Sequence, residues 1–225
     1  MSVIYEDRPS DSPYVQTVWR TETISDGYEM VAADGCWDIL VIKQAGDVRL
    51  CLAGPTTEAV PITHEEGSSY LGIRFKIGAF MPHMPISALL NEVTILPQAT
   101  SRSVWFHDSM LPIPDFENVE AFVERLTRNR LLDRDTFVDA ALQGDVKDVS
   151  LRSVQRRFLR VTGVTQTYVY QVERAEQAAA MLRQGKPIID TVFAAGYVDQ
   201  PHMTKALKRF VGLTPGQIVR MSKAE

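Results

Sequence analysis

The sequence is poor in the residues that build disulfide frameworks, metal sites and membrane spans. Its 225 residues include only two cysteines, Cys36 and Cys51, which are too few for a disulfide framework and lack the spacing of metal ligands. Of the four histidines, His64, His83 and His107 are too widely separated to indicate a metal site. No apolar run approaches the roughly 20 residues of a membrane-spanning helix, and the opening segment MSVIYEDRPSDSPY lacks the basic flank and apolar core of a signal peptide. We therefore expect a cytoplasmic protein with no metal, no cofactor and no membrane partner.

Charge is distributed unevenly along the chain. Residues 150–225 contain 12 of the 24 Lys and Arg residues but only 5 of the 28 Asp and Glu residues, a balance of +7. Residues 1–149 contain the other 12 basic and 23 acidic residues, a balance of −11, which gives the net charge of −4. A basic C-terminal segment in an acidic protein suits a polyanionic partner. A solvated basic surface without a partner is the alternative.

The first hundred residues have the pattern of β structure. Short runs rich in β-branched and aromatic residues alternate with turn segments that contain Gly, Pro, Asp and Ser. These runs are VQTVWRTETI, WDILVIK, VRLCLAG and YLGIRFKIG. Strands of this length and spacing predict a β-rich domain built as a barrel or a sandwich, with a cupin-like arrangement among the alternatives.

Pro112 and Pro114 interrupt this pattern and indicate a domain boundary near residues 110–115. We therefore divide the chain into a β-rich domain, residues 1–112, and an all-α domain, residues 113–225, which together make an α+β multidomain protein. One helix is predicted after Asp115, its expected N-cap, from the apolar stripe Phe116, Val119, Val123 and Leu126. A second short helix is predicted from Phe137, Val138, Ala141 and Leu142.

The segment SLRSVQRRFLRVTG predicts an amphipathic cationic helix. Ser150 is placed as its N-cap and Gly163 as its terminator. At about 100° per residue, one face of the helix is apolar and comprises Leu151, Val154, Phe158 and Val161. The opposite face carries Arg152, Arg156 and Arg160.

The segment PIIDTVFAAGYVDQPHMTKALKRF predicts a short helix, a turn at Gly196 and a second cationic helix in which Pro201 occupies the first turn. The apolar face of this second helix comprises Met203, Ala206, Leu207 and Phe210, and the other face carries His202, Lys205, Lys208 and Arg209. This order of elements is a helix-turn-helix, whose second helix enters the DNA major groove.

A longer helix is predicted between the two cationic helices. Its apolar stripe has alternating spacings of four and three, with Thr165 and Gly185 at its ends: Tyr168, Val172, Ala175, Ala179 and Leu182. About 17 residues span roughly 25 Å. We expect this rod to hold two recognition helices about one DNA turn, roughly 34 Å, apart.

The C-terminal third resembles the DNA-binding domain of AraC-type (AraC/XylS) bacterial transcriptional regulators. The residues that carry the resemblance run in order from Ser150 to Pro215: Val154-Gln155-Arg156, Phe158 and Gly163, then Arg174, Ala178 and Leu182, then Gly196-Tyr197, Asp199-Gln200, His202, Phe210 and Gly212-Leu213-Thr214-Pro215. The resemblance implies two helix-turn-helix units joined by a long helix, with recognition helices at about residues 150–161 and 200–211.

The resemblance also implies roles for individual side chains. Base-reading positions fall on Arg152, Gln155 and Arg156 in the first recognition helix and on Gln200, His202 and Lys205 in the second. Arg and Lys can donate to guanine and Gln can bridge adenine, whereas Arg160, Lys208 and Arg209 are better placed for phosphates. For each residue, a solvated surface position is the alternative.

The sequence departs from the family pattern at three places. Gly144 lies where the supporting helix of the first unit is expected, and glycine costs about 1 kcal/mol inside a helix. Pro201 offers no side-chain donor near the DNA, and Ile218-Val219-Arg220 replaces an aromatic-Arg pair. We therefore expect that the first unit is less rigid or begins differently, and that position 201 makes no base contact.

The segments DGCWD (34–38), AGPTT (53–57) and GIRFKIG (72–78) resemble a β-rich domain that precedes such DNA-binding domains. This resemblance implies ligand sensing or dimerisation, so a small-molecule effector and a homodimer are expected partners besides double-stranded DNA. Arg74 and Trp37 are weak candidates for ligand contact, and core or surface packing is the alternative for both. Cys36 is either a buried thiol or the nucleophile of a DNA-targeted alkyl-transfer protein. We expect a regulator and not an enzyme.

Overall fold

A computed structural model describes residues 3–147 and 149–223. The strands are β1 (Val3–Arg8), β2 (Val15–Thr23), β3 (Gly27–Val31), β4 (Asp38–Gln44), β5 (Asp47–Ala53), β6 (Val60–His64), β7 (Ser69–Phe75), β8 (Ala79–Phe80), β9 (Val93–Ile95), β10 (Gln98–Thr100), β11 (Ser103–Phe106), β12 (Ser109–Pro112) and β13 (Asp133–Arg134). The helices are α1 (Val119–Arg128), α2 (Thr136–Leu142), α3 (Leu151–Thr162), α4 (Gln166–Arg183), α5 (Ile188–Ala194), α6 (Gln200–Phe210) and α7 (Pro215–Met221), and a 3-10 turn spans Ile86–Leu89. The predicted α+β organisation, β-rich first and helical afterwards, is confirmed.

The chain divides into two compact units. Unit 1 comprises the residues up to Gly27, Cys36–Pro55 and Thr63–Thr165. Unit 2 comprises Tyr28–Gly35, Thr56–Ile62 and the residues from Gln166 onward. Each unit therefore contains one of the two cationic helices, α3 in unit 1 and α6 in unit 2.

The largest sheet lies in unit 1 and has the strand order β1-β2-β7-β4-β5-β9. All neighbouring strands pair antiparallel, for example Ile39 opposite Ile73 and Leu40 opposite Cys51. The order ends at β1 on one side and at β9 on the other, so the sheet is open. Of the two expected arrangements, a barrel or a sandwich, the described strands do not form a closed barrel, because β1 and β9 do not pair with each other.

The core of unit 1 lies on one face of this sheet. Ile39, Ile73 and Phe75 are fully buried there, and Phe122 and Leu126 of α1 belong to the same cluster. Helix α1 begins with Asn118 at its N-cap position, whereas the carboxylate of Asp115 accepts from the backbone N–H groups of Glu117 and Asn118 in the preceding turn. The predicted N-cap is therefore displaced by three residues.

The region before α3 is tied to the rest of unit 1 by backbone pairing. Strand β13 pairs with β8, and Asp135 follows as the N-cap of α2. Helix α2 ends at Leu142, and Gly144 follows with a φ of +72°. The expected penalty for Gly144 in a helix interior is thus wrong, because Gly144 lies in the turn after the helix.

Unit 2 is built around α4. The predicted stripe of this helix is buried: Tyr168, Val172, Ala175, Ala179 and Leu182. Helices α5, α6 and α7 pack against it, and Gly196 connects α5 to α6 with the expected positive φ of +70°. Strands β3 and β6 pair with each other as a ribbon. Among the described residues, no helix has both the length and the apolar character needed to cross a membrane.

Candidate nucleic-acid interface

Helix α3 begins and ends as its sequence predicts. The Ser150 hydroxyl accepts from the Ser153 backbone N–H at 3.3 Å, and Gly163 ends the helix at a φ of +76°. A Cβ at Gly163 would lie 3.0 Å from the backbone nitrogen of Ser87, so the close approach also requires glycine. Val154, Phe158 and Val161 are buried as predicted, but Leu151 is 70% exposed. The assignment of Leu151 to the apolar face is therefore wrong; this residue occupies the first turn.

The outer face of α3 carries the predicted DNA-contacting residues. Arg152, Gln155, Arg156 and Arg160 are all exposed. Within the described chain, no carboxylate lies within ion-pair distance of these three arginines. A groove of about 330 Å³ runs beside this face, lined by Phe137, Val149, Ser153, Arg156, Arg157 and Arg160. Arginine donors on a solvent-facing helix surface match what phosphate and guanine recognition require.

Arg157 has a different position from the other arginines of α3. Its guanidinium donates twice to the Asp135 carboxylate, with both N···O distances at 2.9 Å. It also lies 4.4 Å from the centre of the Phe137 ring. Because Asp135 is the N-cap of α2, this pair joins the start of α2 to the middle of α3. Arg157 thus links α2 to α3 by a side-chain ion pair.

Helix α6 is fixed at its N-terminus by Asp199. The Asp199 carboxylate accepts from the His202 backbone N–H at 2.7 Å, and Pro201 occupies the first turn as predicted. Met203, Leu207 and Phe210 are buried. Three of the four residues of the predicted apolar stripe are thus buried, whereas Ala206 is only half-buried, and the opposite side of the helix faces outward.

A groove of about 870 Å³ follows the outer side of α6. It is lined by Gln200, Pro201, Thr204, Lys205, Lys208 and Arg209. The structure thus brings Gln200, Lys205, Lys208 and Arg209 to one surface, as expected. Thr204, which is not among the predicted contact residues, also lies there. Its position four residues after Gln200 and four before Lys208 is the signal that could have identified it.

His202 lies apart from this groove. Its imidazole meets the Tyr197 ring edge-on, with the ring centres 5.2 Å apart. The guanidinium of Arg174, from α4, lies over the Tyr197 ring, 4.4 Å from its centre. Burial raises the pKa of the Tyr197 hydroxyl, and Arg174 partly opposes that shift. His202 therefore contributes to a contact between α4, the turn and α6, and a base-reading role for it stays a prediction.

The candidate residues of the N-terminal half have partners inside unit 1. Arg74 donates twice to Asp38, at 3.1 and 3.0 Å, so its guanidinium is paired with a carboxylate of the same sheet. Trp37 is 3% exposed, stacks on Phe75 with the ring centres 4.0 Å apart, and donates from Nε1 to the Ala79 carbonyl. Both contacts are those of packed structural residues.

The two cysteines are also packed. The Cys36 thiol is buried and contacts Oε1 of Gln16 at 3.1 Å. Cys51 is buried in β5, and burial raises the pKa of its thiol. A raised pKa disfavours the thiolate. Within the described residues, no group of three His, Cys, Asp or Glu side chains is arranged to hold a metal ion.

Two regions of the chain match protein families. Residues 146–221 match a helix-turn-helix domain, and residues 8–94 match a domain of unknown function (DUF6597). The comparison with curated proteins gives no match. The helix-turn-helix match contains α3 and the α5–α6 pair.

Solved structures of ToxT from Vibrio cholerae share a distant likeness with the chain. A ToxT structure at 1.65 Å resolution gives a TM-score of 0.41 and 8% identity, covering 96% of this chain and 98% of the ToxT chain. ToxT bound to (E)-4-(8-methylnaphthalen-1-yl)but-3-enoic acid gives a TM-score of 0.38 and 8% identity, covering 97% and 99%. At TM-scores below 0.5 this likeness supports no conclusion about function. The family match of residues 146–221 and the geometry of α3, α5 and α6 agree that this part of the chain carries a helix-turn-helix domain.

Proposed function

We propose that the protein is a sequence-specific DNA-binding transcription regulator that inserts α3 and α6 into successive major grooves. The observation that carries the proposal is the repeated arrangement on both helices: a capped N-terminus, a buried apolar stripe and an exposed cationic face, all inside a helix-turn-helix match. A solvated basic surface would not require the turn and cap geometry to occur twice.

The proposed contacts follow from the exposed faces. Arg152, Gln155 and Arg156 on α3 would read base edges, and Arg160 would bind phosphate. On α6, Gln200 and Lys205 would read bases, while Lys208 and Arg209 would bind phosphates. Thr204 joins this set, because a threonine methyl can contact thymine and its hydroxyl can bond to several bases.

A selection from random duplexes tests this proposal directly. The full-length protein is expected to recover a bipartite site, and its affinity is expected to fall steeply as salt rises, because bound cations release counterions from DNA. Recovery of no motif would contradict sequence-specific recognition, and an affinity that is insensitive to salt would contradict DNA binding.

Single substitutions then separate the roles. Arg156→Ala should cost about 1–3 kcal/mol on the selected site and relax specificity in one half, and Lys205→Ala should do so in the other half. Lys208→Ala should weaken all duplexes about equally and lower the salt slope by about one. Arg125→Ala, on α1, is the matched control for loss of one positive charge. Equal effects of all four variants on DNA affinity would indicate that the protein binds DNA only through its overall positive charge, which would contradict the proposed contacts.

We further propose that residues 1–112 act as a sensor or dimerisation domain and residues 113–225 as the DNA-binding domain. A small-molecule effector or a second copy of the chain would then alter the placement of the recognition helices, through different affinities for two arrangements. Sedimentation with and without the selected duplex would test the homodimer, since a monomer on a bipartite site would contradict it.

A further inference from the structure

Two segments of the N-terminal half pack with the C-terminal helices in unit 2. They are residues 28–35 and 56–62, here called the ribbon because they contain most of the paired strands β3 and β6. Much of the ribbon is solvent-exposed, including Tyr28 at 72% and Ile62 at 45%. A ribbon of two strands has little stability by itself. Its position therefore depends on the contacts that it makes with its unit.

These contacts are concentrated at the C-terminal end of α6. The Ala33 N–H donates to the Phe210 carbonyl and the Ala59 N–H to the Arg209 carbonyl, both at 2.7 Å. The last four carbonyls of a helix have no partner within the helix. One donor from each segment of the ribbon thus satisfies a carbonyl of the last turn of α6.

Side chains add to this attachment. The Tyr168 hydroxyl, from α4, donates to the Thr56 carbonyl and lies 3.2 Å from the Asp34 carbonyl, so it reaches both segments. The ring of Tyr168 packs edge-on against Phe210. Met30 lies so close to Gly212 that any side chain at position 212 would overlap it.

We propose that the ribbon is a positioning element for the second recognition helix and that its attachment sets the DNA affinity of α6. The proposal rests on the DNA-binding function proposed above. The ribbon leaves the groove-lining residues of α6 uncovered and holds the end of the helix that carries Lys208 and Arg209. Along the chain, residues 28–35 lie between β2 and β4, and residues 56–62 lie between β5 and β7. A change in those strands therefore reaches the ribbon through the chain, and it reaches α6 through the hydrogen bonds from the ribbon to the Phe210 and Arg209 carbonyls.

Tyr168→Phe tests the attachment in the full-length protein. It removes the hydroxyl that holds both segments and leaves every residue of α6 unchanged. Hydrogen exchange of peptides from 28–35, 56–62 and the last turn of α6 is expected to rise about fivefold, the effect of one lost hydrogen bond. Tyr170→Phe, on the same helix but 44% exposed, is the control and should leave this exchange unchanged. Met30→Ala is a second variant with the same expected direction.

The DNA-binding measurement uses two duplexes: the one recovered by selection, and one in which the half-site assigned to α6 is scrambled. Tyr168→Phe should weaken binding of the intact site by about threefold to fivefold and leave binding of the scrambled site unchanged. Combined with Lys205→Ala it should add little, because both act through α6. A general loss of folding would weaken both duplexes equally.

The outcomes are separable. Unchanged exchange in Tyr168→Phe and Met30→Ala would show that these contacts do not hold the ribbon. Raised exchange with unchanged affinity for the intact site, or equal loss on both duplexes, would overturn the positioning role. If the unsubstituted protein binds no DNA, the proposed function fails, and the exchange arm alone still decides whether Tyr168 holds the ribbon on α6.

Discussion

Helices α3 and α6 present similar cationic faces but are held by different interactions. The middle of α3 is joined to α2 by the ion pair between Arg157 and Asp135, and its end packs through Gly163 against the turn at Ser87. Helix α6 is held by apolar packing on α4 and by backbone hydrogen bonds from the ribbon to its last carbonyls. The exposed cationic faces are thus similar, but α3 is held by an ion pair between side chains and α6 by hydrogen bonds from backbone N–H groups. The two helices should therefore respond differently to the same perturbation.

The largest expected effect on stability comes from truncating a buried apolar side chain, because both helices are held by such residues. Phe158 is fully buried in α3, and Phe158→Ala should cost about 3–5 kcal/mol, because the cavity cannot fully collapse. Leu207→Ala, the corresponding change in α6, should cost about 2–5 kcal/mol. Chemical denaturation followed by circular dichroism measures both. Leu159→Ala, at an exposed position of α3, is the control and should change stability by under about 0.5 kcal/mol. A cost below about 1 kcal/mol for Phe158→Ala would mean that α3 is not packed as described.

The next effect distinguishes α3 from α6. Among the described ion pairs, only the one between Arg157 and Asp135 joins a cationic helix to the start of the helix before it. Asp135→Ala removes both the partner of Arg157 and the N-cap of α2, and should cost about 2 kcal/mol. Asp135→Asn keeps a capping oxygen and should cost about half as much. Denaturation at low and high salt distinguishes the ion pair of Asp135 from its N-cap hydrogen bond, because salt screens only the ion pair. Equal losses for Ala and Asn would show that the capping oxygen of residue 135 contributes nothing, and no loss for Asn would show that the charge on Asp135 contributes nothing.

The capping residues allow a direct comparison at smaller scale. Asp199→Ala in α6 and Ser150→Ala in α3 should each cost about 1 kcal/mol. The loss should be larger for Asp199, because its oxygen is 2.7 Å from the donor against 3.3 Å for Ser150, and because a carboxylate also favours the positive end of the helix. Asp199→Asn should recover most of the cap. Thermal denaturation of the three variants measures the order, and a larger loss for Ser150→Ala would reverse it.

Much of this architecture follows from local patterns, and what does not follow involves distant partners. The strands β2, β4, β5 and β7 and the helices α3, α4 and α6 are predicted by periodicity, caps and turn residues. Strand β1 was missed because VIYEDR is charged and mostly exposed, so only its pairing with β2 reveals it. The α6 attachment of the ribbon was missed because its hydrogen bonds join residues about 150 to 180 positions apart.

The site shows the same limit. The cationic faces were predicted from helical spacing, and Gln200, Lys205 and Lys208 do share one groove. The role of Arg157 depends on Asp135, 22 residues earlier, and that of His202 on the orientation of Tyr197. Spacing places a residue on a face of a helix, but it does not tell which neighbouring element occupies that face.

The smallest expected effect is the loss of stability in acid that comes from one ion pair of unit 1, between Arg8 and Glu120. The Arg8 guanidinium, with a further hydrogen bond from Ser10, lowers the pKa of Glu120 from 4.5 to about 2. Because the folded pKa is depressed, the stabilisation is fully present above about pH 4.5 and is lost as the pH falls toward 2. Glu120 is 37% exposed, so screening leaves under about 1 kcal/mol. Glu120→Gln should flatten this part of the stability profile, measured by denaturation between pH 2 and 6. Glu124→Gln, which alters the exposed pair with Arg128, should leave the profile unchanged, and an equal effect of both variants would contradict a special role for Glu120.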